Sequence, residues 1–246
     1  MKSEWYKDWF NTEEYINVYK HRNEDDAENH IKLILENVEL KPQAKILDMA
    51  CGAGRHAIIL ARRNFKVTAV DLSENLISIA KENAERENLK INFTLSDIRQ
   101  FETPEKFELI LNLFTSFGYF ETDEENYAVL QKAYNLLSSD GFFVLDFFNS
   151  KYLVDNLVEC TTETLDQTQI LQQRKIENSR IVKRIEIKRN NHSVEFMESV
   201  RMFTYSDLSN ALIKIGFDIY KTYGDFFGSK FNEQVSPRLI FICKKC

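Results

Sequence analysis

Glycine and proline are scarce in this chain, at 7 and 3 of 246 residues, which excludes collagen-like repeats and Gly/Ser- or Pro-rich low-complexity sequence. Four cysteines, Cys51, Cys160, Cys243 and Cys246, are too few and too scattered for a disulfide framework in a chain of this length. Cys243-Lys-Lys-Cys246 has CxxC spacing, but no second pair or nearby His completes a zinc shell. The four His (His21, His30, His56, His192) show no ligand spacing, so no metal site is expected. Long apolar runs are also missing: the longest uncharged stretch, Leu109 to Phe120, is 12 residues, against about 18 for a membrane span. The opening MKSEWYKDWF has acid and Trp where a signal peptide needs an apolar core, so a cytoplasmic protein is expected. A net charge of −6 gives no whole-protein basic field for nucleic acid. What is present is 43% apolar and 13% aromatic content, enough for one large folded α/β domain.

Along the chain, Thr12 with Glu13 and Glu14 marks a helix start, and Ala27, Ile31, Ile34, Leu35 and Val38 share one helical stripe that Lys41-Pro42 ends. Strand and helix then alternate. KILDMA (45–50), KVTAVD (66–71), INFTL (91–95), FELILNL (107–113) and GFFVLDF (141–147) read as strands. Helices are expected at 55–63, after Ser73, and at 123–137. Short apolar runs between amphipathic helices imply βαβ units and a doubly wound, mostly parallel sheet. From about Glu163 the rhythm changes to segments 164–176, 181–189 and 194–203, expected to form an inserted three-stranded antiparallel meander. A helix over 206–215, closed by Gly216, and strands 217–223 and 238–243 complete the pattern. The expected organisation is a helical lid (1–43), an α/β core (44–159 and 204–246) and an insert (160–203).

In such a sheet, ligands sit at the carboxyl ends of the strands. The first of these ends is Asp48-Met-Ala-Cys-Gly-Ala-Gly54, where Gly52 and Gly54 allow a tight turn and close approach of backbone to ligand. Asp71 ends the second strand 17 residues after Gly54, where an acid receives ribose hydroxyls. Asp97 follows the third strand as an acceptor for an adenine amino group, and Asn112 ends the fourth. Gly52-x-Gly54-x-x-Ala57 also fits a dinucleotide turn. Asp48 shifts the reading, because a carboxylate four residues before Gly52 repels a pyrophosphate but binds the α-ammonium of S-adenosylmethionine (SAM).

On Leu47-Asp48-x-Ala50-Cys51-Gly52-x-Gly54, Val70-Asp71-Leu72-Ser73 and Ser96-Asp97-Ile98-Arg99, the sequence resembles the class I SAM-dependent methyltransferases. The resemblance implies a seven-stranded sheet of order 3-2-1-4-5-7-6 with the last strand antiparallel, and SAM as cofactor. Ala50 stands where many members have Gly. Tyr15-x-x-x-Tyr19-x-x-Arg22, Phe114-Thr-Ser-Phe-Gly118-Tyr119, the insert and Ser236-Pro-Arg-Leu-Ile-Phe look like small-molecule members such as the amino-sugar N,N-dimethyltransferases. Tyr119 stands where those sugar enzymes carry His. The implied cofactor contacts are Tyr15, Tyr19, Arg22, Asp48, Ala50, Gly52, Gly54, Asp71, Leu72, Asp97, Ile98, Asn112 and Phe114. Phe117, Tyr119 and Phe148 are expected at the acceptor pocket. In these relatives N-terminal helices close over SAM and the inserted sheet walls the acceptor.

Tyr15, Tyr19, Phe114, Phe117 and Tyr119 serve either as core or as aromatic faces around a sulfonium. His56 opens the helix after the turn, as a cap, a packing residue beside the cofactor, or a base. No dedicated base stands out. The 172–203 segment has eight Lys/Arg against four Glu, a local +4. Its period-2 placement suits the wet side of a half-exposed sheet, with Ile185, Ile187, Val194 and Phe196 toward the core and Lys183, Arg184, Lys188 and Arg189 at the rim or in solvent. A face for RNA, or for acidic or nucleotide-linked small molecules, stays open on the same residues. Asn112-Leu-Phe-Thr115 lacks the Asn/Asp-Pro-Pro-Tyr of enzymes acting on exocyclic base amines. The leading reading is methyl transfer to N or O of a small polar metabolite. The rivals are an RNA or protein methyltransferase using the insert, and a SAM-binding protein without catalysis.

Overall fold

The computed structural model describes residues 4–19, 24–165, 167–189 and 192–245. Its elements run α1 (Trp5–Trp9), α2 (Glu13–Val18), α3 (Glu24–Leu35), β1 (Lys45–Met49), α4 (Arg55–Arg62), β2 (Lys66–Asp71), α5 (Glu74–Arg86), β3 (Ile91–Leu95), β4 (Phe107–Asn112), α6 (Asp123–Leu136), β5 (Leu137–Phe148) and α7 (Ser150–Asp155). There follow β6 (Cys160–Leu165), β7 (Thr168–Glu177), β8 (Arg180–Arg189), β9 (His192–Arg201), α8 (Tyr205–Ile215), β10 (Phe217–Tyr223) and β11 (Arg238–Lys245). The main sheet has seven strands in the order β3-β2-β1-β4-β5-β11-β10, with β11 antiparallel to both neighbours. That is the 3-2-1-4-5-7-6 order the family resemblance implies.

The central strands are apolar at nearly every position because each serves two cores. Ile46, Leu109, Leu111, Val144 and Ile242 pack with Ile31 and Ile34 of α3 and Leu60 of α4 on one face. Their neighbours Leu47, Ile110, Phe143, Leu145 and Phe241 pack with Leu130 of α6 and Leu208 and Leu212 of α8 on the other. Several helix starts are capped by side chains, which satisfies orphan N–H groups. Thr12 accepts from the Tyr15 N–H at 3.2 Å, Ser73 from Leu76, and Thr122 forms a capping box with Glu125. Among the described residues no helix is long and apolar enough to cross a membrane.

The second sheet is the antiparallel meander β6-β7-β8-β9, one strand more than the sequence suggested. The added strand, CTTETL, is a mostly exposed edge without apolar alternation, so period 2 gave no signal there. Ile170, Ile185 and Ile187 pack against Trp5, Tyr6, Trp9 and Val18 of the N-terminal helices. Phe196 lies on that face, its ring 4.4 Å from that of Trp9, whereas Val194, expected to pack inward, is 42% exposed. Arg180 ties the meander to the loop after β4 by donating to the carbonyls of Gly118, Tyr119 and Phe120.

Candidate functional site

The sheet order reverses between β1 and β4, and the carboxyl ends of these strands open a crevice. The turn after β1 fills it. Ala50, Gly52 and Gly54 take φ of 59°, 55° and 80°, and the Cys51 N–H reaches back to the Val70 carbonyl at 3.0 Å. Ala50 therefore holds a left-handed conformation that glycine adopts more readily. A Cβ on Gly54 would lie 2.9 Å from the Ala80 Cβ, so this glycine lets α5 pack against the turn. A Cβ on Gly52 would meet nothing within 4 Å, and Gly52 lines a cavity. Gly54→Ala is expected to lower stability by at least about 1–2 kcal/mol from backbone strain alone. Gly52→Ala should cost less in stability than Gly54→Ala but impair ligand binding. Urea unfolding beside calorimetric titration separates the two effects, and equal stability of the two variants would contradict the packing role of Gly54.

The cavity above this turn measures about 250 Å³. It is lined by Tyr15, Tyr19, Asp48, Ala50, Gly52, Asp71, Leu72, Asp97, Ile98, Phe114 and Tyr119 among the expected residues, and by Tyr6, Phe10, His56 and Phe120 among others. The Asp48 carboxyl is fully buried, and its Oδ2 has no hydrogen-bond partner. Burial, then the nearby Asp71 charge, raise its pKa to about 7. A buried carboxylate oxygen in this state fits an incoming ammonium group.

Asp71 braces the turn, accepting from the Gly52 N–H at 2.7 Å and the Ser73 N–H at 2.9 Å. Burial raises its pKa, and those N–H groups oppose the rise. With about four acceptor sites on the carboxylate and the N–H groups of Ser73, Gly52 and Leu72 on it, room remains for a hydroxyl. Asp97 pairs with Arg99 at 2.7 Å; burial would raise its pKa, but the Arg99 bonds outweigh it and the carboxyl stays low. His56 is buried and driven far below its usual pKa, by burial first and then by His30 and Arg55, so it is neutral.

A second cavity of about 610 Å³ lies between the core and the meander. Phe10, Tyr15, Tyr19, Phe114 and Tyr119 line both cavities and form an aromatic collar where they meet. Phe148 lines the second cavity. Phe117, expected beside it, lines neither: its ring packs against Phe147 and Phe203 in the core. Gly54 and Asn112 also lie behind the walls; the Asn112 amide donates to the Met49 and Ser116 carbonyls. Arg22 lies outside the described residues.

Lys183, expected at the pocket rim or in solvent, lines the second cavity and is largely buried there. It pairs with Glu198 at 2.6 Å, both side chains 14% exposed, at the wall of the second cavity. Glu198 also accepts from the Trp9 indole at 2.7 Å and the Tyr19 hydroxyl at 2.5 Å, while the Lys183 ammonium donates to that hydroxyl. Burial would raise the Glu198 pKa, but Lys183, Tyr19 and Trp9 hold it low. Ser73 Oγ donates to the Phe10 carbonyl at 2.8 Å, so the N-terminal helices bridge core and meander. Among the described residues no group of three or more His, Cys, Asp or Glu could hold a metal ion.

Residues 46–141 match the family model described as a methyltransferase domain. A glycine/sarcosine N-methyltransferase of Aphanothece halophytica is 31% identical over 145 residues, covering 58% of this chain and 53% of that protein. A ubiquinone biosynthesis O-methyltransferase of Coxiella burnetii is 41% identical over 68 residues, 28% of this chain and 29% of that protein. The chain thus spans about half or less of the length of the curated relatives it matches. A solved S-adenosylmethionine-dependent methyltransferase from Clostridium acetobutylicum ATCC 824 superposes with a TM-score of 0.82 over 94% of this chain and 98% of that one; at 18% identity this likeness concerns the fold. Residues 46–141 thus match a methyltransferase domain, and the strand order and glycine turn around them agree with the class I SAM-dependent methyltransferases that the sequence resembles.

Proposed function

We propose that this protein transfers the methyl group of SAM to a nitrogen or oxygen of a small polar metabolite. The observation that carries the reading is the pair of cavities meeting at the collar of Phe10, Tyr15, Tyr19, Phe114 and Tyr119. When bound, SAM supplies an electrophilic methyl on a sulfonium. Asp48 would hold its ammonium and Asp71 its ribose hydroxyls, while Leu72 and Ile98 flank the adenine. The collar rings face the sulfonium and keep water from the transfer path. In-line displacement needs an acceptor held opposite the methyl, and the second cavity gives it room. That room favours catalysis over SAM binding alone. The N-terminal helices, joined to core and meander through Ser73 and Glu198, act as the lid of the site.

Relatives named for N- and O-methyl transfer to small molecules support the same substrate class. The RNA reading loses ground on the basic residues themselves. Arg180 is spent on loop carbonyls, Lys183 on Glu198, Arg184 on Glu195, Lys188 on Glu186 and Arg201 on Asp123. Incubation with methyl-labelled SAM and either a small-metabolite extract or total RNA tests the choice. Label is expected in the small-molecule fraction, with slower amide exchange in α1 and α2 once S-adenosylhomocysteine is bound. Label confined to RNA would reverse the assignment.

A further inference from the structure

The meander places three charges in one rung at the wall of the second cavity. Arg174 of β7 pairs in register with Lys183 of β8, and Lys183 with Glu198 of β9. All three line the cavity. Cross-strand like charges repel, and a sheet bearing two adjacent cations is stable when anions balance them. Glu198 balances one, since it binds Lys183 at 2.6 Å.

Among the described residues Arg174 is held by neutral groups alone. Its Nη1 donates to the Thr161 hydroxyl at 3.1 Å and, at 3.4 Å, to the Val158 carbonyl, and its Nη2 donates to the Gln172 side-chain oxygen at 2.7 Å. Among the described residues no carboxylate pairs with it; Glu159, whose carbonyl accepts from the Arg174 N–H at 2.7 Å, has an exposed side chain. The three neutral partners fix the guanidinium in a half-buried position and leave its charge uncompensated. A fixed planar fork of this kind suits a carboxylate or phosphate. The walls around it are largely apolar, with Leu153, Leu157, Ile181 and Val200.

We infer that the methyl acceptor carries an anionic group, carboxylate or phosphate, on an apolar or aromatic body, and that this group binds Arg174 and completes the charge balance of the rung. The inference rests on the methyltransferase reading above, because it takes the second cavity as the acceptor site. The nucleophile then lies toward the aromatic collar and the anion toward β7. Arg174 is thus a specificity residue, remote from the cofactor.

Calorimetry on the protein saturated with S-adenosylhomocysteine tests this with 4-aminobenzoate, 4-aminophenylacetate and 4-aminophenyl phosphate against the neutral 4-aminobenzamide and 4-aminophenylacetamide. At least one anion should bind about tenfold or more tighter than the amides, the size of a charge-assisted pair. Whichever of carboxylate and phosphate binds tighter identifies the anion. Arg174→Gln should abolish the preference, Arg174→Lys should keep part of it, and S-adenosylhomocysteine affinity should stay unchanged in both. Equal binding of anions and amides, no binding of any of them, or an undiminished preference in Arg174→Gln overturns the inference. Failure of S-adenosylhomocysteine itself to bind the parent protein would instead overturn the methyltransferase reading.

Discussion

Replacing Asp48 by Asn is expected to weaken SAM binding by about 1.5–3 kcal/mol, roughly 10- to 150-fold, through loss of a charge-assisted pair with the α-ammonium. Asp48 also sets the pH dependence. In the free protein its pKa is raised to about 7, by burial and then by Asp71, so near neutrality a large fraction of the carboxyl is protonated. An ammonium beside it favours the charged form and lowers that pKa. Binding therefore releases a proton from Asp48, and affinity rises with pH through about 7, levelling off only above it, once the free carboxyl is ionised. Above about 8 the ligand's own α-amino group loses its charge and affinity falls again. Titration calorimetry at pH 6 in two buffers of different ionisation enthalpy counts the proton. Asp48→Asn should release none and lose the rise toward neutrality. Parent and variant binding SAM equally at pH 7.5 would remove Asp48 from the ammonium site.

The sheet was legible because its central strands, apolar at nearly every position, lie between helices with clear apolar stripes. The glycine turn was legible because few residue types tolerate its backbone. Lys183 shows where the reading of the meander stopped short. It shares odd parity with Ile185 and Ile187, so period 2 already placed it on the packed face, although its charge suggested the rim or solvent rather than a buried ion pair. Glu198, opposite it in register, was the missing partner. Phe117 and Phe114 illustrate a different limit. They lie in an irregular loop where Phe114 and Thr115 take φ of 56° and 64°, so no period assigns their directions. Phe114 turns to the two cavities and Phe117 to the core in a loop held by a group on β5, 32 residues from Phe114, that no local pattern reveals.

That group is Asp146, and removing its counter-ion with Arg238→Met is expected to destabilise the fold by about 3–5 kcal/mol, the cost of leaving a buried charge unpaired. Asp146 is fully buried; its Oδ1 accepts from Arg238 at 2.6 Å, its Oδ2 from the Phe114 N–H at 2.8 Å, and its carbonyl from the Thr115 N–H at 3.0 Å. Arg238 also donates to the Thr115 hydroxyl at 3.0 Å. One ion pair thus holds the left-handed loop that presents Phe114 to both cavities. The nearby His30, whose Nδ1 is 3.9 Å from the carboxylate, has its pKa lowered to about 3 by burial first and then by Arg238; the variant loses only the second cause, and burial still opposes an imidazolium there. Burial already raises the Asp146 pKa despite Arg238, and losing the arginine raises it further. A carboxyl whose folded pKa lies above its unfolded value favours folding at low pH and loses that contribution as pH rises through the folded pKa. The deficit of the variant should therefore be smaller at pH 5 than at pH 8. Adding Asp146→Asn should recover part of it by removing the stranded charge, while S-adenosylhomocysteine affinity stays reduced because the loop has lost its anchor. Urea unfolding of the three proteins at both pH values measures this, and a pH-independent loss below about 1 kcal/mol, the range of exposed pairs, would mean that the pair does not hold the loop.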